Sequence, residues 1–218
     1  MSYEEMLKNY LENEEGMEVN SINVTDWDDN VFDVNEGERE YLVIPQKYAR
    51  DYVRDDIENL IDDIGFTSSF TDEFFDYLLV SNRDQVDDFF YDVVQDEISA
   101  GVNDYSDDEL VDVAIEEHDI DVKPYYDEQT GELDVYGLRE VVIEKEMKGI
   151  GDDYLQYCAD TFGWDWVKDL INEHWSEIFD LEDIVDECIE ADGYAHFIAR
   201  YDGEEIDLGD GIFAYRTN

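Results

Sequence analysis

The chain has 218 residues, of which 63 are Asp or Glu and 13 are Lys or Arg, and its formal net charge is −50. Hydrophobic residues make up 43% of the sequence and aromatic residues 14%, which excludes intrinsic disorder as the explanation of this charge. The deficit of Lys and Arg argues against direct binding of nucleic acid, because phosphate contacts require basic side chains.

The first third of the sequence alternates helix and strand signals. Ser2 and Glu5 have the spacing of a capping box, which predicts a short first helix. Strands are predicted where β-favouring apolar residues alternate or cluster, at 17–24, 31–34 and 41–44. Pro45 suits the first turn of a helix, and apolar residues at helical spacing extend that helix to Gly65.

The middle of the chain is predicted to be helical. Thr71 and Ser81 are suited to cap two successive helices, and the second is expected to run to about Ser99. Ser106 and Glu109 repeat the capping-box spacing ahead of a third helix.

Beyond residue 123 the pattern changes. Residues 127–131 predict a hairpin turn flanked by Tyr126 and Leu133. Helices are then predicted around 137–147, 152–162, 165–178 and 181–191. The segments 204–208 and 212–216, joined by Gly-Asp-Gly, predict a closing β-hairpin.

These elements predict an α+β protein that is mostly helical, with a small N-terminal sheet and a C-terminal β-hairpin. We expect three regions. They are a mixed α/β N-terminal region at 1–65, an acidic helical central region at 66–123, and a helical C-terminal region ending in the hairpin at 124–218.

Acidic residues are concentrated between residues 55 and 122, where 23 acids accompany a single base, Arg83. Four aspartates recur every four residues along one predicted helix: Asp84, Asp88, Asp92 and Asp96. Like charges at this spacing destabilise a helix by about 0.2–0.5 kcal/mol per pair, so three pairs cost about 0.6–1.5 kcal/mol. With a rise of about 1.5 Å per residue, these carboxylates stand roughly 6 Å apart, similar to the phosphates along one DNA strand.

The acids of this segment are therefore the predicted partner-binding residues. The candidates are Asp55, Asp62, Asp84, Asp87, Asp88, Asp92, Asp96, Asp107, Asp108 and Glu116. A solvated helix face is the competing interpretation for any one helix. That interpretation is less convincing for the whole segment, because its successive helices almost entirely lack basic residues.

Three explanations compete for the overall charge, which destabilises a compact state by self-repulsion. Halophilic proteins are typically poor in Ile, Phe, Tyr and Asn, and this chain shows the opposite bias. An acidic arm that binds a basic partner would be a contiguous block, yet no long acidic run occurs. The third explanation, a folded surface that presents charge to a DNA-binding protein, fits best.

The sequence predicts no catalytic or metal centre. His118, His174 and His196 are isolated in sequence and match no zinc-binding spacing. There is no phosphate-binding glycine loop and no nucleophile elbow. We therefore expect a protein that is not an enzyme and needs no cofactor, with only weak adventitious binding of divalent ions.

The location is expected to be a reducing cytoplasm. Two cysteines are too few for a disulfide framework. The start of the sequence lacks a signal-peptide pattern, and no apolar run approaches the roughly 18 residues that a membrane span needs. Trp164, Trp166 and Trp175 are expected in the core, with a hot spot for a partner or a contact in a homodimer as the alternative.

The closing stretch from Asp192 to Asn218, together with small size, acidic helices, many aromatics and few bases, resembles the DNA-mimicking antirestriction proteins of phages and mobile elements, the ArdA and Ocr groups. The resemblance implies an inhibitor that occupies the DNA channel of a type I restriction-modification complex or a CRISPR effector in a bacterial host cell. The resemblance assigns no functional residue to this chain. An acidic chaperone or adaptor for a basic protein is the alternative from another class.

Overall fold

The computed structural model describes residues 3–13, 16–199 and 201–218. The capping box predicted at Ser2 lies outside the described residues. Within them, ten α-helices, one short 3-10 turn and five strands divide between two compact units. Unit 1 comprises 1–69 and 180–218, and unit 2 comprises 70–179. The predicted α+β fold class is confirmed.

Unit 1 combines an antiparallel sheet with four helices. Its elements are α1 (Tyr3–Asn13), β1 (Ser21–Val24), β2 (Phe32–Glu36), β3 (Arg39–Pro45), α2 (Gln46–Ile64), α3 (Phe66–Ser69), α10 (Leu181–Ile198), β4 (Glu205–Asp207) and β5 (Ile212–Arg216). Pro45 is the N-cap residue of α2, and Gly65, with a φ of 86°, ends that helix as predicted.

The sheet has the strand order β1-β2-β3-β5-β4, and every neighbouring pair is antiparallel. The predicted closing hairpin is confirmed as β4 and β5. It belongs to the same sheet as the N-terminal strands, because β5 pairs with β3 in a register that places Ala214 opposite Val43. This pairing joins the two ends of the chain in one unit.

Both faces of the sheet are buried at its centre, in β3 and β5, whereas β1 and β4 are largely exposed. Leu7 and Leu11 of α1 pack in one core with Phe32, Val34 and Val43. Because side chains alternate across a strand, the buried neighbours of Val43 in β3 face the other side of the sheet. Helix α2 contacts β3, and α10 contacts β5.

Unit 2 is helical. Its elements are α4 (Asp72–Ser81), α5 (Arg83–Asp104), α6 (Asp107–Glu116), the 3-10 turn (Lys123–Tyr125), α7 (Val135–Ile150), α8 (Tyr154–Phe162) and α9 (Trp164–Ile178). The central helix is α5, which packs against α4, α7, α8 and α9. Tyr126 and Leu133 form an isolated antiparallel bridge around the predicted turn.

The predicted caps are confirmed at two of three helices. The hydroxyl of Thr71 accepts from the Phe74 amide at 3.2 Å, and Ser106 with Glu109 forms the capping box of α6. Ser81 was predicted to cap α5, and this is wrong. Ser81 is the last residue of α4, and Asn82 separates the two helices while its side-chain amide donates to the Leu78 carbonyl at 3.0 Å.

The end of α5 also differs from the prediction. The helix passes Gly101 and ends at Asp104, beyond the expected stop near Ser99. Glycine inside a helix costs about 0.5–1 kcal/mol relative to alanine. Burial of Val102, which is 4% exposed in a core with Leu110, offsets that cost.

The four helices predicted after residue 136 are present with modest shifts of their ends. The largest shift is in α10, which continues to Ile198 across a kink at Gly193, where φ is 75°. None of the helices in the described part of the chain combines the length and the apolar character needed to cross a bilayer.

The two units divide the chain differently from the three predicted regions. The predicted boundary at residue 123 lies inside unit 2, and the predicted C-terminal region is shared between the units. The physical reason is the pairing of β5 with β3, which brings residues 180–218 back to the N-terminal sheet. Local turn signals carry no information about such a distant pairing.

One cysteine in each unit provides a reporter of unfolding. Cys158 of α8 and Cys188 of α10 are free and buried. Burial raises the pKa of the Cys158 thiol to about 11 and that of Cys188 to about 12, so the reactive thiolate is scarce near neutral pH.

We expect both thiols to resist a disulfide-exchange reagent in the native protein and to react at once in denaturant. Peptide mass spectrometry after timed labelling would measure the two rates separately, with the fully unfolded chain as the reference. Rapid labelling of either thiol under native conditions would contradict the burial described here.

Candidate partner-binding surface

Unit 2 carries most of the predicted partner-binding residues on its helices. Residues 70–179 contain 32 acids and six Lys or Arg. The central helix α5 buries Val86, Phe90, Val94 and Val102. Its four aspartates at four-residue spacing, which we call the α5 row, are all exposed: Asp84, Asp88, Asp92 and Asp96.

The α5 row forms no ion pair among the residues that the structure describes. Among the residues that the structure describes, no Lys or Arg nitrogen lies within 4.0 Å of its carboxylates. Only Asp84 lies in the first helical turn, where the helix dipole stabilises a negative charge. The remaining three aspartates therefore gain no evident local stabilisation from their charge.

Asp87, predicted as part of the same surface, has a different role. Its carboxylate is paired with the Arg83 guanidinium at 2.7 Å, and Arg83 also contacts Asp153 at 3.0 Å. The hydrogen bond to Asp87 raises the pKa of Arg83. The other oxygen of Asp87 is buried and has no hydrogen-bond partner among the described residues. Asp87 thus forms an ion pair within unit 2, and its carboxylate is less available to a partner than the carboxylates of the α5 row.

A second row of acids, which the sequence analysis did not single out, lies on α9. Four exposed acids recur there every four residues, and we call them the α9 row: Asp165, Asp169, Glu173 and Glu177. A kink at His174 separates Glu177 from the other three, and a Glu177 oxygen lies 2.9 Å from His174 Nδ1. Helix α9 packs against α5, and the rings of Phe89 and His174 meet with centroids 5.6 Å apart. The four-residue spacing was present in the sequence, but the contact with α5 was not visible there.

The candidates on α6 have a structural explanation of their own. Asp107 and Asp108 lie in the first turn of α6, where negative charge is stabilised by the helix dipole. Glu116 is the last residue of that helix, where the same dipole disfavours a negative charge. All three side chains are exposed.

The two remaining candidates, Asp55 and Asp62, belong to α2 in unit 1. Asp55 accepts a hydrogen bond from the Trp27 indole at 2.8 Å and pairs with Arg54 at 2.8 Å, so its carboxylate is engaged within the protein. Asp62 is exposed. The segment 55–122, predicted as one working surface, is thus divided between the two units.

Arg50 and Arg54 of unit 1 form ion pairs with acids of the same unit. Arg50 contacts Glu182 and also Asp186 at 2.8 Å, and Arg54 contacts Glu182 at 2.9 Å. Hydrogen bonding to these acids raises the pKa of Arg50. This network joins α2 to α10 and leaves little positive charge to offset the acidic exterior.

An open groove of about 710 Å³ lies between α5 and α7 in unit 2. Tyr91, Tyr136 and Arg139 are among its lining residues. The Arg139 guanidinium donates to the Tyr105 carbonyl at 3.0 Å, and its Nε has no hydrogen-bond partner in the described part of the chain. The rings of Tyr91 and Tyr136 and the guanidinium of Arg139 therefore line a groove in a unit that is rich in acids.

The three predicted core tryptophans are only partly buried. Trp166 and Trp175 are half-buried, and Trp164 is 45% exposed. The expectation of a fully buried aromatic segment is therefore wrong for Trp164.

One histidine lies beside carboxylates that are distant in sequence. His118 Nε2 is 2.9 Å from an oxygen of Glu146 on α7, and an oxygen of Glu117 is close to both atoms. The sequence alone does not reveal this group, because His118 and Glu146 lie 28 positions apart in the chain. The adjacent pair Glu117-His118 was the one local signal.

The fold and surface define an α+β protein whose second unit is an acidic helical body. Comparison of the chain with protein-family models, with curated protein sequences and with solved structures found no match.

Proposed function

We propose that this protein is a DNA mimic that inhibits a bacterial defence enzyme by occupying its DNA-binding cleft. The observation that carries the proposal is the α5 row, four exposed carboxylates at regular spacing with no cation beside them in the described part of unit 2. A restriction-modification complex or a CRISPR effector is the proposed class of target.

Charge density supports a surface that uses more than the α5 row. That row has one carboxylate per about 6 Å of helix axis. One DNA strand has one phosphate per about 3.4 Å of duplex axis. Counted along the axis, the α5 row therefore supplies about half the charge of one strand, and other exposed acids of unit 2 would have to supply the rest.

The energetics favour a functional origin for the α5 row. Three like-charge pairs at four-residue spacing cost about 0.6–1.5 kcal/mol. Gln at the same exposed positions would avoid this cost and would favour the helix more than Asp does. Selection for a negative surface is a sufficient reason to retain the four aspartates.

Competition with DNA tests this proposal. A DNA mimic should inhibit DNA cleavage by a type I restriction-modification complex or a CRISPR effector, and duplex DNA should displace it from the enzyme. If the carboxylates replace phosphates in the cleft, affinity should fall steeply between roughly 50 and 200 mM salt, because added ions screen the attraction between exposed charges. Surface plasmon resonance at several salt concentrations, with and without duplex DNA, measures both effects.

The alternative is an acidic chaperone or adaptor that binds a basic protein away from its DNA site. Such a protein would bind its partner and duplex DNA simultaneously. A ternary complex, or a cleavage reaction that proceeds normally while the protein is bound, would support that alternative and contradict the DNA-mimic proposal.

A further inference from the structure

A mixed histidine and carboxylate cluster joins the end of α6 to α7 in unit 2. His118 lies two residues beyond α6 and its side chain is 13% exposed, with Nε2 2.9 Å from a carboxylate oxygen of Glu146. Glu117 adds a third group, and one ligand atom from each of the three residues lies within 4.8 Å of the others. The three groups converge although the two elements are separate in sequence.

The electrostatics of this cluster are unfavourable without a cation. Two carboxylates are held close together, and Glu117 is the C-cap residue of α6, where the helix dipole disfavours negative charge. The last turn of α6 contains no basic residue. Within the part of the chain that the structure describes, no Lys or Arg pairs with Glu117 or Glu146. Among the described residues, the imidazole of His118 is therefore the one basic group beside these two carboxylates.

We propose that Glu117, His118 and Glu146 bind a first-row transition-metal dication, with Zn²⁺ as the preferred ion. Neutral imidazole and two carboxylates supply one nitrogen and two oxygens and balance the charge of the ion. Tetrahedral zinc with bonds of about 2.0–2.1 Å places its ligand atoms about 3.3 Å apart. The group therefore needs only small side-chain adjustments to close around the ion, and water completes the coordination.

The nitrogen ligand sets this site apart from the rest of the acidic surface. Clusters of carboxylates alone favour Mg²⁺ or Ca²⁺, which take oxygen ligands. Imidazole favours zinc and its neighbours, and the general order of affinity places Zn²⁺ above Mn²⁺. The bound ion would link the end of α6 to α7, two helices that already share the core around Leu110 and Leu138. The site is independent of the DNA-mimic proposal, and either proposal can fail alone.

The test is a titration of the metal-free full-length chain with Zn²⁺ in a large excess of Mg²⁺, which saturates the carboxylates elsewhere. Calorimetry should show one saturable site, and Co²⁺ should give a visible absorption band that Zn²⁺ removes. His118→Asn and Glu146→Gln should each weaken Zn²⁺ binding by more than about tenfold, since loss of a group behind the ligands already costs about 10- to 100-fold.

Matched variants keep the test decisive. Glu144→Gln removes an exposed acid of α7 and should leave Zn²⁺ affinity unchanged, whereas Glu117→Gln removes an exposed ligand and should weaken it. Circular dichroism verifies that each variant is folded. Equal Zn²⁺ binding by the wild type and all four variants would mean adventitious binding only and would overturn the proposal, as would the absence of a saturable site in Mg²⁺.

Discussion

Replacing all four aspartates of the α5 row with Asn is expected to weaken binding to the target enzyme by roughly 10³-fold. If each carboxylate contributes about 1 kcal/mol in the cleft, four contribute about 4 kcal/mol, and every 1.4 kcal/mol is tenfold in affinity. The same change removes three repulsive pairs within the helix, worth about 0.6–1.5 kcal/mol. Loss of the Asp84 charge from the first turn offsets part of that gain, so the free energy of unfolding should rise by about 1 kcal/mol or less. Inhibition assays and urea denaturation measure the two quantities on one protein.

The opposite signs of these effects make the result informative. A surface retained only for solubility would gain stability and keep its inhibitory activity. A helix damaged by the substitutions would lose both stability and inhibition. Weaker inhibition by a more stable protein is expected only if the carboxylates of the α5 row contact the target.

A control variant with the same change in net charge distinguishes the effect of the α5 row on binding from the effect of net charge alone. Unit 1 offers four exposed acids on α2 and α10 with no ion pair among the described residues: Asp51, Asp63, Glu190 and Asp192. Their conversion to Asn or Gln should reduce affinity much less than the change in the α5 row. Equal losses in the two variants would mean that net charge alone governs binding.

Most of the fold could be predicted because its signals are local. The helices follow from apolar residues at helical spacing, and caps such as Thr71 and Ser106 lie where the sequence predicts them. The error at Ser81 arose because Ser81 and Asn82 are both suited to end or begin a helix. Only the packing of α4 against α5 decides between them.

The parts that sequence could not predict all depend on distant contacts. The pairing of Val43 with Ala214 assigns the C-terminal hairpin to unit 1, and alternation of side chains does not reveal which strands are neighbours. Asp55 resembles the other acids in sequence, yet its bond to Trp27 gives it a structural role. For the candidate surface, spacing identified the α5 row, but the packing of α9 beside it required the structure.

Replacing Phe90 with Ala is expected to destabilise unit 2 more than any of the surface changes above. Phe90 is fully buried in the middle of α5, the helix that packs against four others in this unit. Removing a buried Phe side chain costs about 3–5 kcal/mol, because the lost apolar burial is accompanied by a cavity that relaxes only in part. The unfolded population should therefore rise by about 10²- to 10³-fold or more.

The Cys158 thiol is the natural reporter of this change, since α8 packs directly on α5. Its labelling should accelerate in proportion to the population of the open state, as long as reclosing is faster than labelling.

Tyr136→Ala is the matched control, because Tyr136 is also an aromatic residue of unit 2 but is 73% exposed. A surface truncation of this kind should change stability by no more than about 0.5 kcal/mol. Similar labelling rates in the two variants would show that Phe90 does not hold the core of unit 2 together, and the position of the α5 row would then need another explanation.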